Sequence, residues 1–283
     1  MNILQKFSGF IGTLSNFEEA EKVLIGAPMD YTVSFRTGSR MAPMQIRLVS
    51  DLLEEYSFYQ DKHINDAKFF DAGDVILPIG NVIESLNRIE EAVDWILRAG
   101  KKPFILGGEH LVTYPVIKAV NRYFKDLVVI QFDAHADLRE NYCGEELSHA
   151  TVMAKIAKII GPENLYQFGI RSGTEEEFKY GRKYTNFFPD EVLPALRKVL
   201  PTLQGKKVFI SLDIDVIDPA YAPGTGTLEA GGISSREMIT AIHEMAQLDI
   251  VGMDLLEVSP PNDVSDMTSI LAAKIIREAL IAY

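Results

Sequence analysis

The chain predicts a three-layer α/β/α fold with a mainly parallel central sheet, and three observations carry that prediction. Short apolar runs rich in Val, Ile and Phe alternate with longer segments of helical periodicity along the 283 residues, as in repeated strand–helix–strand units. The short runs are apolar at successive positions, which suits strands covered by helices on both faces. No Pro/Gly/Ser-rich linker, repeat or low-complexity tract interrupts the alternation, so residues 1–283 are expected to form a single domain.

In chain order, strands are expected at 22–27, 68–71, 103–106, 127–132, 165–169, 207–212 and 250–254, with a weaker eighth at 184–188. Helical segments are expected near 43–55, 82–99, 112–124, 149–160, 189–199, 234–247 and 266–281. Two helix starts have a mechanism. Ser234 followed three residues later by Glu237 forms a capping-box pattern, and Met238, Ile242 and Met245 then share a face. After Ser148, the residues Val152, Met153, Ile156 and Ile160 recur at helical spacing until Gly161-Pro162 stops them. The Gly-rich stretch 223–232 reads as a long loop inside the domain, of the kind that serves a site.

Composition excludes several function classes. With 28 Lys+Arg against 40 Asp+Glu, the chain carries a formal charge of −12. Such a surface repels nucleic acid and anionic membranes, so neither is expected as a partner. A single cysteine, Cys143, excludes an intramolecular disulfide and fits a reducing cytoplasm. The first 20 residues, with Lys6, Glu18 and Glu19, lack the apolar core of a signal peptide, and no run of 18 apolar residues occurs. A cytoplasmic protein is expected.

Three strand ends carry chemistry. The run Val128-Val129-Ile130-Gln131-Phe132 passes straight into Asp133-Ala134-His135-Ala136-Asp137. Residues two apart share one face of an extended chain, so three ligands can converge there. The run Val208-Phe209-Ile210-Ser211-Leu212 ends in Asp213-Ile214-Asp215, followed by Asp218-Pro219. Packing these acids together needs compensating positive charge, which metal cations supply. In the third, Pro103-Phe104-Ile105-Leu106 leads through Gly107-Gly108 to Glu109-His110, with glycines that permit a tight backbone. Each motif alone has a bland explanation as a turn or helix cap. Together they place His110, Asp133, His135, Asp137, Asp213 and Asp215 at the carboxyl ends of strands, where open α/β sheets bind ligands.

Four carboxylates and two imidazoles exceed the needs of one zinc ion with an open position. Two ions bridged by carboxylates use them all, and the absence of thiolate favours Mn²⁺ first, then Fe²⁺, Co²⁺ or Ni²⁺. Two such ions about 3.5–4 Å apart lower the pKa of a shared water, which supplies the nucleophile of a hydrolase.

These motifs resemble the signatures of the ureohydrolases, the arginase and agmatinase family: Gly-Gly-Glu-His110, Asp133-Ala-His-Ala-Asp137, and Ser211-Leu-Asp213-Ile-Asp215 continuing through Asp218-Pro219 and Pro223-Gly-Thr-Gly226. The resemblance runs from Lys22 to the last helical segment. It implies a central eight-stranded parallel sheet between helical layers, a homotrimer or homohexamer, and two Mn²⁺ per subunit. His110 and Asp137 would hold one ion, His135 and Asp215 the other, with Asp133 and Asp213 bridging. Glu257, in Asp254-Leu-Leu-Glu-Val-Ser-Pro260, matches the guanidinium-binding glutamate, and His149, in Ser148-His-Ala-Thr, the proton-shuttling histidine. An ordinary histidine pKa near 6.5 suits that duty. Asp137 would pass a proton to the departing amine.

The resemblance further implies a small cationic guanidino substrate, foremost agmatine, which yields putrescine and urea. Neighbouring amidinohydrolases (guanidinobutyrase, guanidinopropionase, arginase or formimidoylglutamase) and a catalytically silent binding or regulatory subunit stand as alternatives. Between Asp137 and Ser148 lie Glu140, Glu145 and Glu146, any of which could meet an amine or face solvent; Glu229 is another candidate for substrate binding. Arg139 points toward a carboxylate substrate instead.

Overall fold

In a computed structural model the chain is described over residues 3–5, 9–189 and 191–283. Lys6, and Asp190 inside the helix expected at 189–199, lie outside the described residues. The expected strands form as β2 (Lys22–Ala27), β5 (Phe69–Val75), β6 (Lys102–Gly107), β7 (Leu127–Phe132), β8 (Leu165–Phe168), β9 (Asn186–Phe188), β10 (Lys207–Asp213) and β11 (Asp249–Leu256). These eight run parallel. A ninth, β1 (Leu4–Gln5), adds antiparallel to β5, giving the order β1-β5-β2-β6-β11-β10-β7-β8-β9. The sheet therefore has nine strands among the described residues, one more than the resemblance implies. A separate small hairpin pairs β3 (Tyr56–Ser57) with β4 (Lys62–His63).

The helices are α1 (Ala42–Ser50), α2 (Val82–Arg98), α3 (Thr113–Tyr123), α4 (Val152–Ile160), α5 (Glu175–Tyr184), α6 (Leu193–Val199), α7 (Ser235–Met245) and α8 (Met267–Ala282). Each strand divides its side chains between two cores. On β7, Val128, Ile130 and Phe132 join Ile46 of α1, Leu196 of α6, Met238 of α7 and Leu271 of α8 on one face. Leu127 and Val129 join Leu86 of α2, Val116 of α3 and Val152 of α4 on the other. Both faces of the sheet are thus dry, which is why its strands read as continuous apolar runs.

Local chemistry explains most boundaries. The Ser234 side chain accepts the Glu237 N–H while Glu237 accepts the Ser234 N–H, closing the capping box that opens α7. A short 3-10 turn, His149–Thr151, precedes α4 and is capped by Ser148; the helix stops at Gly161, where φ is +83°. The expected first helix overreaches by several residues. Beyond Ser50 the Leu52 and Leu53 N–H groups make only turn-type bonds, to Val49 and Ser50, and the chain turns toward β3. Strand β5 runs further than expected because Asp74 and Val75 pair with β1 after the positive φ of Gly73.

Candidate active site

The carboxyl ends of β6, β7, β10 and β11 meet where strand order reverses, and the chemically loaded residues meet there too. At the end of β6, Gly107 and the following Gly108 let the turn lie flat. A Cβ on Gly107 would come within 1.7 Å of the Leu256 side chain, and one on Gly108 within 1.8 Å of the Met29 carbonyl oxygen. These glycines serve close approach rather than unusual torsion.

That turn delivers His110. Its Nδ1 lies 3.0 Å from Asp133 Oδ2, 3.1 Å from Asp137 Oδ2 and 3.4 Å from Asp213 Oδ2, yet it is buried without hydrogen-bond geometry to any of them. Nε2, 3.1 Å from Ser211 Oγ, orients the ring. His135 Nδ1 lies 2.9 Å from Asp215 Oδ2 and 3.6 Å from Asp133 Oδ1. Two donor groups capable of holding a cation result, His110–Asp133–Asp213 and Asp133–His135–Asp215, with Asp133 common to both.

The backbone builds this convergence in two ways. Strand β7 ends at Phe132 and the chain bends at Ala134, where Asp133 Oδ1 accepts the His135 N–H in a local turn and Oδ2 accepts from the Gln131 amide. Asp137 arrives instead through a left-handed residue, its own φ being 52°, so strand alternation alone does not bring it in. Asp213 accepts the Asp215 N–H, and Asp215 accepts the Ala134 N–H, tying β10 to β7.

The electrostatics call for positive charge. Desolvation, then repulsion from Asp133, pushes the Asp137 carboxyl up to about 6. Desolvation with Asp215 and Asp133 raises Asp213 far above the usual range. Desolvation opposes the His110 cation, but Asp133, Asp137 and Asp213 outweigh it and raise its pKa; in the same way Asp215 and Asp133 push His135 up to about 12. The imidazoles thus retain protons where the carboxylates crowd. Hard oxygen donors, two Nδ1 atoms and a shared carboxylate fit two divalent cations in place of those protons.

A cavity of about 270 Å³ opens over the cluster, lined among others by His149, Glu257, Arg139 and Glu229. Glu257 Oε1 accepts the His110 N–H at 2.7 Å, and its backbone N–H donates to the Gly108 carbonyl. Desolvation and the neighbouring Glu109 push its carboxyl up to about 8. His149 is lowered to about 4, chiefly by desolvation, well below the 6.5 expected of it, so it is neutral across the neutral pH range.

The other expectations divide. Glu229 lines the cavity. Glu140 pairs with Lys158 and Glu146 with Lys155 at the surface, Glu145 is exposed, and none of the three lines the cavity. Cys143 is exposed outside it. Arg139 lines the wall but is engaged: its Nε donates to Glu177 Oε2 at 3.2 Å, and its guanidinium lies 4.9 Å over the Tyr142 ring.

Sequence reasoning missed Arg171, Glu177, Thr32 and Glu109. Arg171 donates to the carbonyls of Gly169, Asp215, Val216, Glu229 and Ala230, binding the 223–232 loop to the strand ends. Glu177 caps α5 with Thr174 and also accepts the Leu138 N–H. The Thr174-x-x-Glu177 pattern could have found α5; Thr32 carries no comparable local signal.

A parallel α/β sheet whose carboxyl edge presents two joined carboxylate–imidazole sites defines a class of paired-metal α/β proteins. Comparison narrows that class. A model of the Arginase family matches residues 20–282. An agmatinase from Bacillus anthracis is 51% identical over 100% of this chain and 99% of its own length, whereas a guanidinobutyrase from Pseudomonas aeruginosa is 32% identical over 94% and 87%. The crystal structure of the agmatine ureohydrolase of Thermoplasma volcanium superposes with a TM-score of 0.89 at 32% identity, covering 98% of this chain and 94% of that one. The chain belongs to the arginase family and is an amidinohydrolase.

Proposed function

We propose that the protein is an agmatinase, one domain over residues 1–283, which hydrolyses agmatine to putrescine and urea in polyamine biosynthesis. One observation carries the choice of substrate. The cavity presents Glu257 and Glu229, while Arg139, the lining guanidinium, is already tied to Glu177. Such a wall suits a cationic guanidino compound, and the pairing with Glu177 makes Arg139 a poorer partner for a substrate carboxylate. Higher identity to an agmatinase than to a guanidinobutyrase supports the same reading.

His110 and Asp137 would hold one divalent cation and His135 and Asp215 the other, with Asp133 and Asp213 between them; Mn²⁺ is the expected metal. When bound, the two ions supply Lewis acidity and a nucleophilic water of lowered pKa. The remaining work falls to the chain. Glu257 clamps the planar guanidinium through paired charge-assisted hydrogen bonds and fixes its central carbon against the cluster. Asp137 takes up the nucleophile's proton and delivers it to the departing amine. His149 exchanges protons with bulk water, and Glu229 meets the substrate's far end.

The protein is proposed to act in the cytoplasm, which the lone, exposed Cys143 supports. A homotrimeric or homohexameric assembly is supported by the exposed Met41, Met44, Leu48 and Leu52 along α1 and the turns at its two ends. Urea release by protein reconstituted with Mn²⁺ tests the substrate. Agmatine is expected to exceed arginine and 4-guanidinobutyrate in kcat/KM by about 100-fold; preference for either of those would overturn the assignment.

A further inference from the structure

Glu109 is fully buried beside the site, and its Oε2 accepts both the Thr32 N–H at 2.7 Å and the Thr32 hydroxyl at 3.0 Å. A carboxylic hydroxyl is a poor acceptor, so the oxygen that takes a backbone N–H at 2.7 Å is the carboxylate or carbonyl oxygen, which has no proton to give; the single hydroxyl proton of Thr32 is therefore committed to Glu109. The lone pairs of Thr32 Oγ1 then face His149. One accepts the His149 backbone N–H at 3.0 Å; the other lies 3.4 Å from His149 Nδ1. Two acceptors cannot face each other favourably, so Nδ1 must carry the ring proton. The Tyr142 ring stands edge-on to the imidazole, at 5.4 Å between centroids and 79° between planes.

We propose that Thr32, oriented by Glu109, is the positioning residue that fixes His149 as its Nδ1–H tautomer and leaves Nε2 as the nitrogen with a free lone pair. The inference rests on the shuttle role given to His149 above and supplies what that role lacks, a reason for one nitrogen to be basic. Thr32 touches no reacting atom in this scheme. It acts through the ring it holds, 117 residues away in the chain.

Thr32→Val and Thr32→Ser test it. Valine keeps the shape and the backbone N–H to Glu109 but removes the hydroxyl; serine restores the hydroxyl. The tautomer is read from two-bond ¹H–¹⁵N correlation spectra of ¹⁵N-histidine-labelled protein loaded with diamagnetic Mg²⁺, with His149→Ala assigning the ring. The unmodified protein is expected to give a protonated Nδ1 and a bare Nε2 at His149. In Thr32→Val the two tautomers mix and kcat falls by about 10- to 100-fold, while KM and metal content stay within about twofold; Thr32→Ser restores both. For an active unmodified enzyme, the proposal stands only if tautomer and kcat move together and return together, and any other combination overturns it. If the unmodified protein hydrolyses no guanidino compound yet shows the expected tautomer, the assigned activity falls and the positioning does not.

Discussion

Asp137 and Glu257 hold left-handed backbone, with φ of 52° and 63°. That conformation costs a non-glycine residue about 1–2 kcal/mol and survives only where surroundings enforce it. Here they do: the Asp137 carbonyl accepts from both Met153 and Ala154, and the Glu257 N–H is bound to Gly108. The two side chains given proton transfer and guanidinium binding are thereby aimed by their own backbones. Glu257→Gln keeps the shape and loses the charge; kcat/KM for agmatine is expected to drop by about 100-fold with metal content unchanged, as steady-state kinetics and metal analysis will read. His149→Ala should likewise retain both metals and lose turnover by about 100-fold or more. Unchanged rates at full metal occupancy would remove its shuttle role. The six candidate ligands were legible because each sits in a compact motif directly after an apolar strand. Thr32 and Arg171 were not, because their partners lie far along the chain and only the folded structure introduces them.

Among the elements, the 223–232 loop depends on two anchors that the local sequence conceals. Arg171 holds the Glu229 and Ala230 carbonyls, and Asp218 accepts the N–H groups of Gly231 and Gly232. Arg171→Ala is expected to raise KM for agmatine roughly tenfold and to expose the loop to limited proteolysis; unaltered KM and cleavage would mean the loop holds itself. A second junction ties the β3–β4 hairpin to α7 and α8. Glu278 is fully buried and accepts from Ser57, Gln60, His243 and Arg277. Burial favours its protonation, but these donors outweigh it and hold the carboxyl at about 2 against an ordinary 4.5. The folded state thus binds fewer protons than the unfolded one, and the stabilisation present above pH 4.5 drains away as pH falls toward 2. Glu278→Gln is expected to cost about 3 kcal/mol at neutral pH and to flatten stability against pH in that acid window, measured by denaturant unfolding. The main strands and seven of the helices could be anticipated because their apolar periodicity is strong. Helix α5 escaped: Glu175–Tyr184 offers few apolar residues, and its Gly181 exists to clear the Phe187 ring, 2.6 Å from where a Cβ would stand.

For the whole molecule, alternation along the chain foretold the layers but not the strand order. Placing β10 and β11 between β6 and β7 is a matter of non-local pairing, which no window of sequence contains. That order brings four carboxylates together, and the cost falls on the entire fold. Chelation should therefore lower Tm: ligand at 1,000-fold over its Kd contributes about 4 kcal/mol, or about 7 °C for a chain of this size. Differential scanning calorimetry with and without Mn²⁺ measures it. A Tm indifferent to chelator would count against the paired ions.

The short rims of the sheet have a consequence for how the protein behaves in company. Among the described residues it ends in two-residue β1 on one side and three-residue β9 on the other. So little free backbone gives a foreign chain almost no template for strand addition, which guards against runaway, amyloid-like polymerisation. The assembly proposed above would then form through the helical flanks, where side-chain fit sets a finite number of copies.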